Sequence, residues 1–172
     1  MHKKIAFIGS VGCGKTTIIN QLSSVDTVNT DVKSSVDIGK ELTTVGIDYG
    51  HVALGDDISL GLYGVPGQRR FSFIWDHVMD GLWGVVILVK HDDNESLSEL
   101  AYLIEYFNVT RTTPCVIGIS HSDSVDDDSF RHRVVEVIMA MNLNFPVYRV
   151  DARSEQSATL IMQSLIALGD VG

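Results

Sequence analysis

A glycine-rich stretch near the start of the chain restricts the possible folds more than any other feature. Residues 9–16 read GSVGCGKT, which matches G-x-x-x-x-G-K-[ST] at every fixed position. An apolar run, Ile5–Ile8, precedes it, and a helix-like stretch, Thr17–Leu22, follows it. Glycines allow the backbone to curl around an anion, and a helix N-terminus adds partial positive charge. This segment, the phosphate loop, therefore predicts a phosphate site between a strand and a helix.

The residue types in the phosphate loop suit a nucleoside triphosphate with Mg²⁺. The ammonium group of Lys15 neutralises the β- and γ-phosphates, and the hydroxyl of Thr16 is a ligand for Mg²⁺. The backbone N–H groups predicted to face the phosphates belong to Gly12, Cys13, Gly14, Lys15, Thr16 and Thr17. The loop alone does not indicate which base the nucleotide carries.

The hydrophobic pattern predicts an α/β fold. Four apolar runs are typical of buried parallel strands: Ile5–Ile8, Val85–Val89, Val116–Ile119 and Val147–Val150. Residues 45–54 and 58–63 predict a β-hairpin. With helical stretches between and after these runs, we expect a three-layer domain over residues 1–172. Its sheet has six strands, mostly parallel with one antiparallel strand.

One helix start is predicted from a local signal. Ser96 is followed three residues later by Glu99, and apolar residues at helical spacing begin at Leu97. This pattern is typical of a capping box, in which the two side chains bond to the backbone of the first helical turn.

Composition restricts the partners and the location of the chain. Of its 172 residues 45% are hydrophobic, and 13 basic against 22 acidic residues give a net charge of −9. An acidic chain lacks the positive field that non-specific nucleic-acid or membrane-surface binding requires. Its two cysteines, Cys13 and Cys115, form no disulfide framework. We therefore expect reduced thiols, a cytoplasmic location, no nucleic acid and no membrane anchor.

Three further stretches resemble the Ras-like small GTPases. TTVGIDY at 43–49 resembles the end of their switch I, GVPGQRRF at 64–71 resembles their switch II, and DAR at 151–153 resembles the loop that packs on guanine. Their order and spacing fit over essentially the whole chain. The P-G-Q form of switch II resembles a prokaryotic branch, which contains the cell-polarity GTPase MglA and the GTPases that occur with roadblock-type (longin-like) proteins.

The resemblance implies a molecular switch that hydrolyses GTP to GDP. Its mobile segments would be switch I (about 23–44) and switch II (about 64–78), which would meet a protein effector or regulator. A roadblock-type protein is the partner that the branch suggests. Lys15 and Gln68 would be catalytic, with Gln68 orienting the attacking water. Thr44 would also be catalytic and would bind Mg²⁺ together with Thr16, and the Gly67 N–H would contact the γ-phosphate.

The resemblance also implies how the base is recognised. Residues 120–123 read SHSD where the family has N-K-x-D. Asp123 would accept hydrogen bonds from guanine N1–H and N2–H₂, with Ser120 and His121 beside it. The N–H of Ala152 would donate to guanine O6. Asp151 and Arg153 flank it in the same loop.

The sequence departs from the family pattern at three places, and each departure affects a predicted role in Mg²⁺ binding, hydrolysis or guanine recognition. Gly64 replaces the aspartate of switch II; Asp48 is either its replacement or a surface-facing strand residue. Val11 stands where Ras has glycine, and its branched side chain predicts slow hydrolysis because it would crowd Gln68. Ser120 and His121 replace asparagine and lysine, which predicts weaker guanine selectivity.

Alternatives remain open at the sequence level. Arg69 and Arg70 are either a built-in arginine finger or solvated residues that meet a partner. Val11 and Gly64 are also compatible with a guanine-nucleotide-binding interaction module that does not hydrolyse GTP. An ATP-using P-loop enzyme is a third possibility.

Overall fold

One sheet of seven strands organises the described part of the chain. The computed structural model describes residues 1–23, 28–30, 46–54, 57–122 and 128–170. The strands are β1 His2–Gly9, β2 Val28–Thr30, β3 Ile47–Leu54, β4 Ile58–Pro66, β5 Leu82–Lys90, β6 Cys115–Ser120 and β7 Val147–Arg149. The helices are α1 Lys15–Leu22, α2 Ser72–Met79, α3 Asn94–Tyr106, α4 Ser129–Ala140 and α5 Glu155–Asp170, with a 3₁₀ turn at Arg69–Phe71.

The strand order is β2-β3-β4-β1-β5-β6-β7. Strand β1 is parallel to β4 and β5, and the parallel pairing continues through β6 to β7. Strand β3 alone runs antiparallel to its neighbours β2 and β4. The α/β class, the six expected strands and the single antiparallel strand are thus confirmed. The three-residue strand β2 at the sheet edge was not predicted.

Two hydrophobic cores, one on each face of the sheet, make the three layers. Alternate residues of β1 point to opposite faces, so that Ala6 and Ile8 join one core while Ile5 and Phe7 join the other. The first core contains buried residues of α2, α3 and α4, and the second contains those of α1 and α5. Burial on both faces explains why the strands read as continuous apolar runs. None of the described helices has the length and apolar character needed to cross a bilayer.

The predicted capping box at Ser96 and Glu99 is wrong. Helix α3 begins earlier, at Asn94, and its N-cap is Asp93, whose carboxylate accepts a hydrogen bond of 3.0 Å from the Glu95 N–H. Ser96 donates to the same carboxylate at 2.8 Å. Because Asp93 supplies a strong cap, Ser96 and Glu99 lie inside the helix, and their side chains reach other parts of the molecule.

The parallel strands bring several loops to one edge of the sheet. The carboxyl ends of β1, β4, β5 and β6 lie side by side, since their registers run in the same direction. The phosphate loop follows β1, switch II follows β4, helix α3 follows β5, and residues 120–123 follow β6. In α/β folds, ligands bind at this edge.

A matched pair of leucines tests the arrangement of the cores. Leu100 on α3 is fully buried, whereas Leu160 on α5 is 41% exposed. We expect Leu100→Ala to lower the free energy of unfolding by about 2–5 kcal/mol, because it leaves a cavity. Leu160→Ala removes the same atoms from a helix surface and should cost less than about 1 kcal/mol. Urea unfolding followed by circular dichroism measures both, and equal losses would contradict the described packing.

Candidate functional site

The phosphate loop has a backbone that its glycines make possible. Gly12 and Gly14 adopt positive φ angles of 75° and 104°, a region that side chains disfavour. Helix α1 begins directly after Gly14, and no side chain caps its first turn. The first N–H groups of a helix lack intrahelical partners. The loop therefore presents N–H donors and the positive end of a helix dipole to one centre.

Lys15 bridges the two ends of the phosphate loop. Its ammonium nitrogen donates to the carbonyl oxygen of Gly9 at 2.7 Å and to that of Ser10 at 2.9 Å. The thiol of Cys13 lies 3.7 Å from the same nitrogen. Burial raises the pKa of this thiol above its ordinary value, so Cys13 remains a neutral packing group beneath the loop.

The phosphate loop also contacts the start of switch II. The N–H of Gly67 donates to the carbonyl oxygen of Gly9 at 2.9 Å. A Cβ atom on Gly67 would lie 3.2 Å from the Gly9 backbone, a tight contact that favours glycine at this close approach. In this arrangement the Gly67 N–H is directed at the phosphate loop itself.

Residues that are distant in the sequence surround a single cavity beside the phosphate loop. Its volume is about 300 Å³, within the range of small-molecule sites. It is lined by Gly12, Gly14, Thr17, Ser120, His121, Val150, Asp151, Ala152 and Arg153. All of these except Val150 were predicted from sequence as site residues. Thr44 and Asp123, the remaining predicted residues of switch I and of the base site, lie outside the described residues.

The loop at residues 151–153 contains an exposed ion pair and contacts α1. Arg153 binds the two carboxylate oxygens of Asp151 at 3.0 and 3.2 Å, and this guanidinium lowers the pKa of the Asp151 carboxyl. Gln21 on α1 donates to the carbonyl oxygen of Arg153 at 3.2 Å. A Cβ on Gly14 would lie 2.6 Å from the Cβ of Ala152. The phosphate loop and the loop of Ala152 are therefore in direct contact.

His121 lines the cavity from the end of β6. Its φ angle of 58° lies in the left-handed region, where it follows the buried Ser120. The Nδ1 atom of His121 and the hydroxyl of Ser120 are 3.1 Å apart. The serine thus contacts its neighbour in the same loop, and the exposed imidazole borders the cavity.

Comparison with known proteins identifies the family. The model of the Ras family matches residues 4–167. The chain belongs to the Ras family. No curated protein sequence matches it significantly.

Solved structures share the fold of this Ras-family chain. The small GTPase Arl6 (BBS3) of Trypanosoma brucei, solved with the nucleotide analogue GppNp, superposes with a TM-score of 0.71 at 16% identity, over 99% of both chains. A bacterial selenocysteine-specific elongation factor, EF-Sec, gives a TM-score of 0.71 at 18% identity. That match covers 99% of this chain but 29% of the elongation factor. At these identities the likeness concerns the fold.

In this Ras-family chain, Asp48 occupies the place next to Gly64. The two residues are cross-strand partners in the β3–β4 pair. The Oδ2 atom of Asp48 accepts a hydrogen bond of 2.5 Å from the Thr16 hydroxyl. A Cβ on Gly64 would lie 3.0 Å from the Asp48 Cβ and 3.1 Å from its Oδ2. The carboxylate of β3 therefore lies where a side chain on β4 would stand.

Switch II is attached to α3 by contacts that sequence reasoning missed. The Nε atom of Arg69 binds the Oε2 atom of Glu99 at 2.7 Å, and its guanidinium carbon lies 3.8 Å from the ring centroid of Tyr102. Arg70 is exposed, with its guanidinium carbon 4.7 Å from the Phe71 ring centroid. The only local signal for the α3 residues was the supposed capping box, which misassigned the role of Glu99.

The contact between Gly14 and Ala152 can be tested with a matched glycine. Gly14 and Gly81 both have positive φ angles, but a Cβ on Gly81 would meet nothing within 4 Å. Gly81→Ala should cost only backbone strain, about 1–2 kcal/mol. Gly14→Ala adds the clash with Ala152, and we expect about 1–3 kcal/mol of further destabilisation. Unfolding in urea compares them; equal costs would show that the two loops are not in contact.

Proposed function

We propose that this chain is a guanine-nucleotide-dependent molecular switch that hydrolyses GTP slowly to GDP. The observation that carries the proposal is the cavity of about 300 Å³. It is lined by the phosphate loop, by Ser120 and His121 at the end of β6, and by the loop at residues 151–153. A nucleotide needs this combination, since its phosphates and its base must be held at opposite ends of one site.

The base end of this cavity supplies guanine recognition. The N–H of Ala152 would donate to guanine O6, and the ion pair of Asp151 and Arg153 flanks it in the same loop. Asp123 would accept from guanine N1–H and N2–H₂, donors that adenine does not present as a pair. His121 would lie along the base with less contact area than a lysine stem gives, so we expect weaker guanine selectivity than in Ras.

The side chains beside the phosphate loop would suit a triphosphate with Mg²⁺. Lys15 carries the positive charge across the loop. The hydroxyl of Thr16 and the carboxylate of Asp48 are adjacent oxygen donors, the ligand type that Mg²⁺ prefers. Thr16 and Asp48 would hold the ion, directly or through water, and Thr44 would join them from switch I. When bound, Mg²⁺ supplies charge stabilisation to the phosphate oxygens.

Gln68 is the residue that would orient the attacking water. In the described arrangement it lines a smaller cavity, of about 60 Å³, between the phosphate loop and α3. Gly67 must also leave the Gly9 carbonyl before its N–H can contact a γ-phosphate. Two rearrangements of switch II thus precede hydrolysis, and we expect a slow intrinsic rate. Val11 is 74% exposed in this arrangement, and its crowding of Gln68 remains a prediction.

The same observations favour a second candidate function. If switch II keeps Gly67 and Gln68 in these places, the chain would bind guanine nucleotides without hydrolysing them and would act as an interaction module. Its partner would be a protein effector or regulator that contacts switch I (about 23–44) and switch II (about 64–78). The P-G-Q sequence supports the prokaryotic branch and a roadblock-type partner.

The first experiment identifies the nucleotide that the protein carries. We expect GDP to be released from the denatured protein, and GTP turnover with Mg²⁺ to be below about 0.1 s⁻¹, on a scale where intrinsic Ras turnover is about 10⁻⁴ s⁻¹. Bound GTP with no turnover would favour the interaction module. ADP, or ATP competing as well as GTP, would overturn the guanine assignment and leave an ATP-using enzyme.

A second experiment tests whether Asp48 supplies the missing carboxylate. Asp48→Asn keeps the size of the side chain and removes its charge. We expect nucleotide dissociation in the presence of Mg²⁺ to be about 10- to 100-fold faster and dissociation in EDTA to change little. Asp80→Asn, at an exposed residue after α2, is the charge-matched control.

An exchange of the two residues makes this test sharper. The double variant Asp48→Gly, Gly64→Asp moves the carboxylate from β3 to β4. The new side chain at position 64 would occupy the space that the Asp48 side chain leaves. We expect it to regain part of the Mg²⁺-dependent retention that Asp48→Asn loses. Unchanged Mg²⁺ dependence in Asp48→Asn would instead mean that another group holds the ion.

A further inference from the structure

One face of α3 contacts both the phosphate loop and switch II. Ser96 and Glu99 are three residues apart and therefore lie on the same side of the helix. The hydroxyl of Ser96 is 3.3 Å from that of Ser10 in the phosphate loop. Glu99 binds Arg69 in switch II at 2.7 Å. The helix thus spans the gap between the two segments.

The contact with switch II combines charge and ring stacking. We call Arg69, Glu99 and Tyr102 the clasp. The side chains of Arg69 and Glu99 are 55% and 26% exposed, so their ion pair alone is worth little. The guanidinium also lies 3.8 Å from the centroid of the Tyr102 ring, and this cation–π contact strengthens the attachment.

The clasp adjoins the residues that must move. Arg69 follows Gln68 directly, so the position of its guanidinium limits where the backbone of Gln68 can go. Gln68 shares its cavity with Ser96 and Glu99, and among the described residues no donor reaches its Oε1 atom. One residue before it, the N–H of Gly67 donates to the Gly9 carbonyl.

A buried tryptophan links this segment to the same helix. The indole N–H of Trp75 donates to the carbonyl oxygen of Pro66 at 2.7 Å. Its ring centroid lies 6.1 Å from that of Tyr102 and 4.8 Å from that of Tyr106. Trp75 therefore touches the start of switch II on one side and α3 on the other.

We propose that Glu99 and Tyr102 are positioning residues that hold switch II in a resting arrangement through Arg69. In this arrangement Gly67 and Gln68 are kept from a γ-phosphate, so the clasp favours GDP over GTP. Arg69 then acts as a tether and not as an arginine finger. This inference rests on the proposed function, because it concerns the preference between two guanine nucleotides.

The direction of the effect follows from linkage. A contact that exists in one of two states shifts their equilibrium by its free energy in that state. A γ-phosphate would compete with the Gly9 carbonyl for the Gly67 N–H, and this exchange requires switch II to shift. Weakening the clasp lowers the cost of that shift. The affinity for a triphosphate should rise relative to the affinity for GDP.

Nucleotide affinities of matched variants test the clasp. We expect Glu99→Gln to raise the ratio of the GTPγS affinity to the GDP affinity by about 3- to 10-fold, a range set by surface ion-pair and cation–π energies. Glu105→Gln removes the same charge from the exposed side of α3 and should leave the ratio unchanged. The pair Arg69→Glu with Glu99→Arg should restore it toward the parent value.

Trp75 fluorescence gives a readout that a purely structural role for Glu99 would not move. In a Trp83→Phe background, Trp75 is the single tryptophan. We expect its emission to change when GTPγS replaces GDP. In the Glu99→Gln variant, the emission of the GDP form should already lie partway toward the GTPγS form, while the unfolding midpoint falls by no more than in the Glu105→Gln variant.

The outcomes separate the two proposals. If the parent protein binds no guanine nucleotide, the proposed function is overturned, and the clasp falls with it. If the parent binds GDP and GTPγS normally but Glu99→Gln leaves both the ratio and the Trp75 emission unchanged, only the clasp is overturned. A ratio that moves toward GDP would show that α3 supports the active arrangement instead.

Discussion

The backbone of Gly9 is the constraint on which the rest of the site depends. Its carbonyl oxygen accepts from Lys15 and from Gly67, and a Cβ there would lie 2.5 Å from the Cys13 sulfur and 2.7 Å from the Leu88 carbonyl oxygen. The backbone of Gly9, at the end of β1, therefore contacts the phosphate loop, switch II and the neighbouring strand β5. Any side chain at this position would separate them.

The described charges around the site show how an acidic chain can offer a cation to an anionic ligand. Arg153 is neutralised by Asp151, and Arg69 by Glu99. Lys15, in contrast, is held by two neutral carbonyl groups. Carbonyls fix the position of the ammonium group without cancelling its charge. Among the described residues, no carboxylate forms an ion pair with Lys15, so its charge is available to an anion although the net charge of the chain is −9.

Local features of the sequence were sufficient for most of the fold and for the location of the phosphate loop between β1 and α1. The phosphate loop is predictable because its conformation depends on neighbouring residues: glycines, lysine and threonine at a fixed spacing. The buried strands are predictable because burial on both faces leaves continuous apolar runs. The contacts of α3 could not be predicted, because Glu99 and Tyr102 meet Arg69 only after the sheet has formed. The capping signal at Ser96 was misleading because Asp93, three residues earlier, is the better cap.

The position of Asp48 on β3 would make strand pairing part of the proposed Mg²⁺ binding. Side chains alternate along a strand, so a slip of one residue between β3 and β4 would turn Asp48 to the opposite face of the sheet. A carboxylate at position 64 would be fixed by β4, which pairs with β1 over residues 59–66. Here the carboxylate depends on the register of the antiparallel pair. A ligand that holds Asp48 against Thr16 would therefore select one register of the hairpin, and occupancy of the site would be linked to the correct alignment of this half of the sheet.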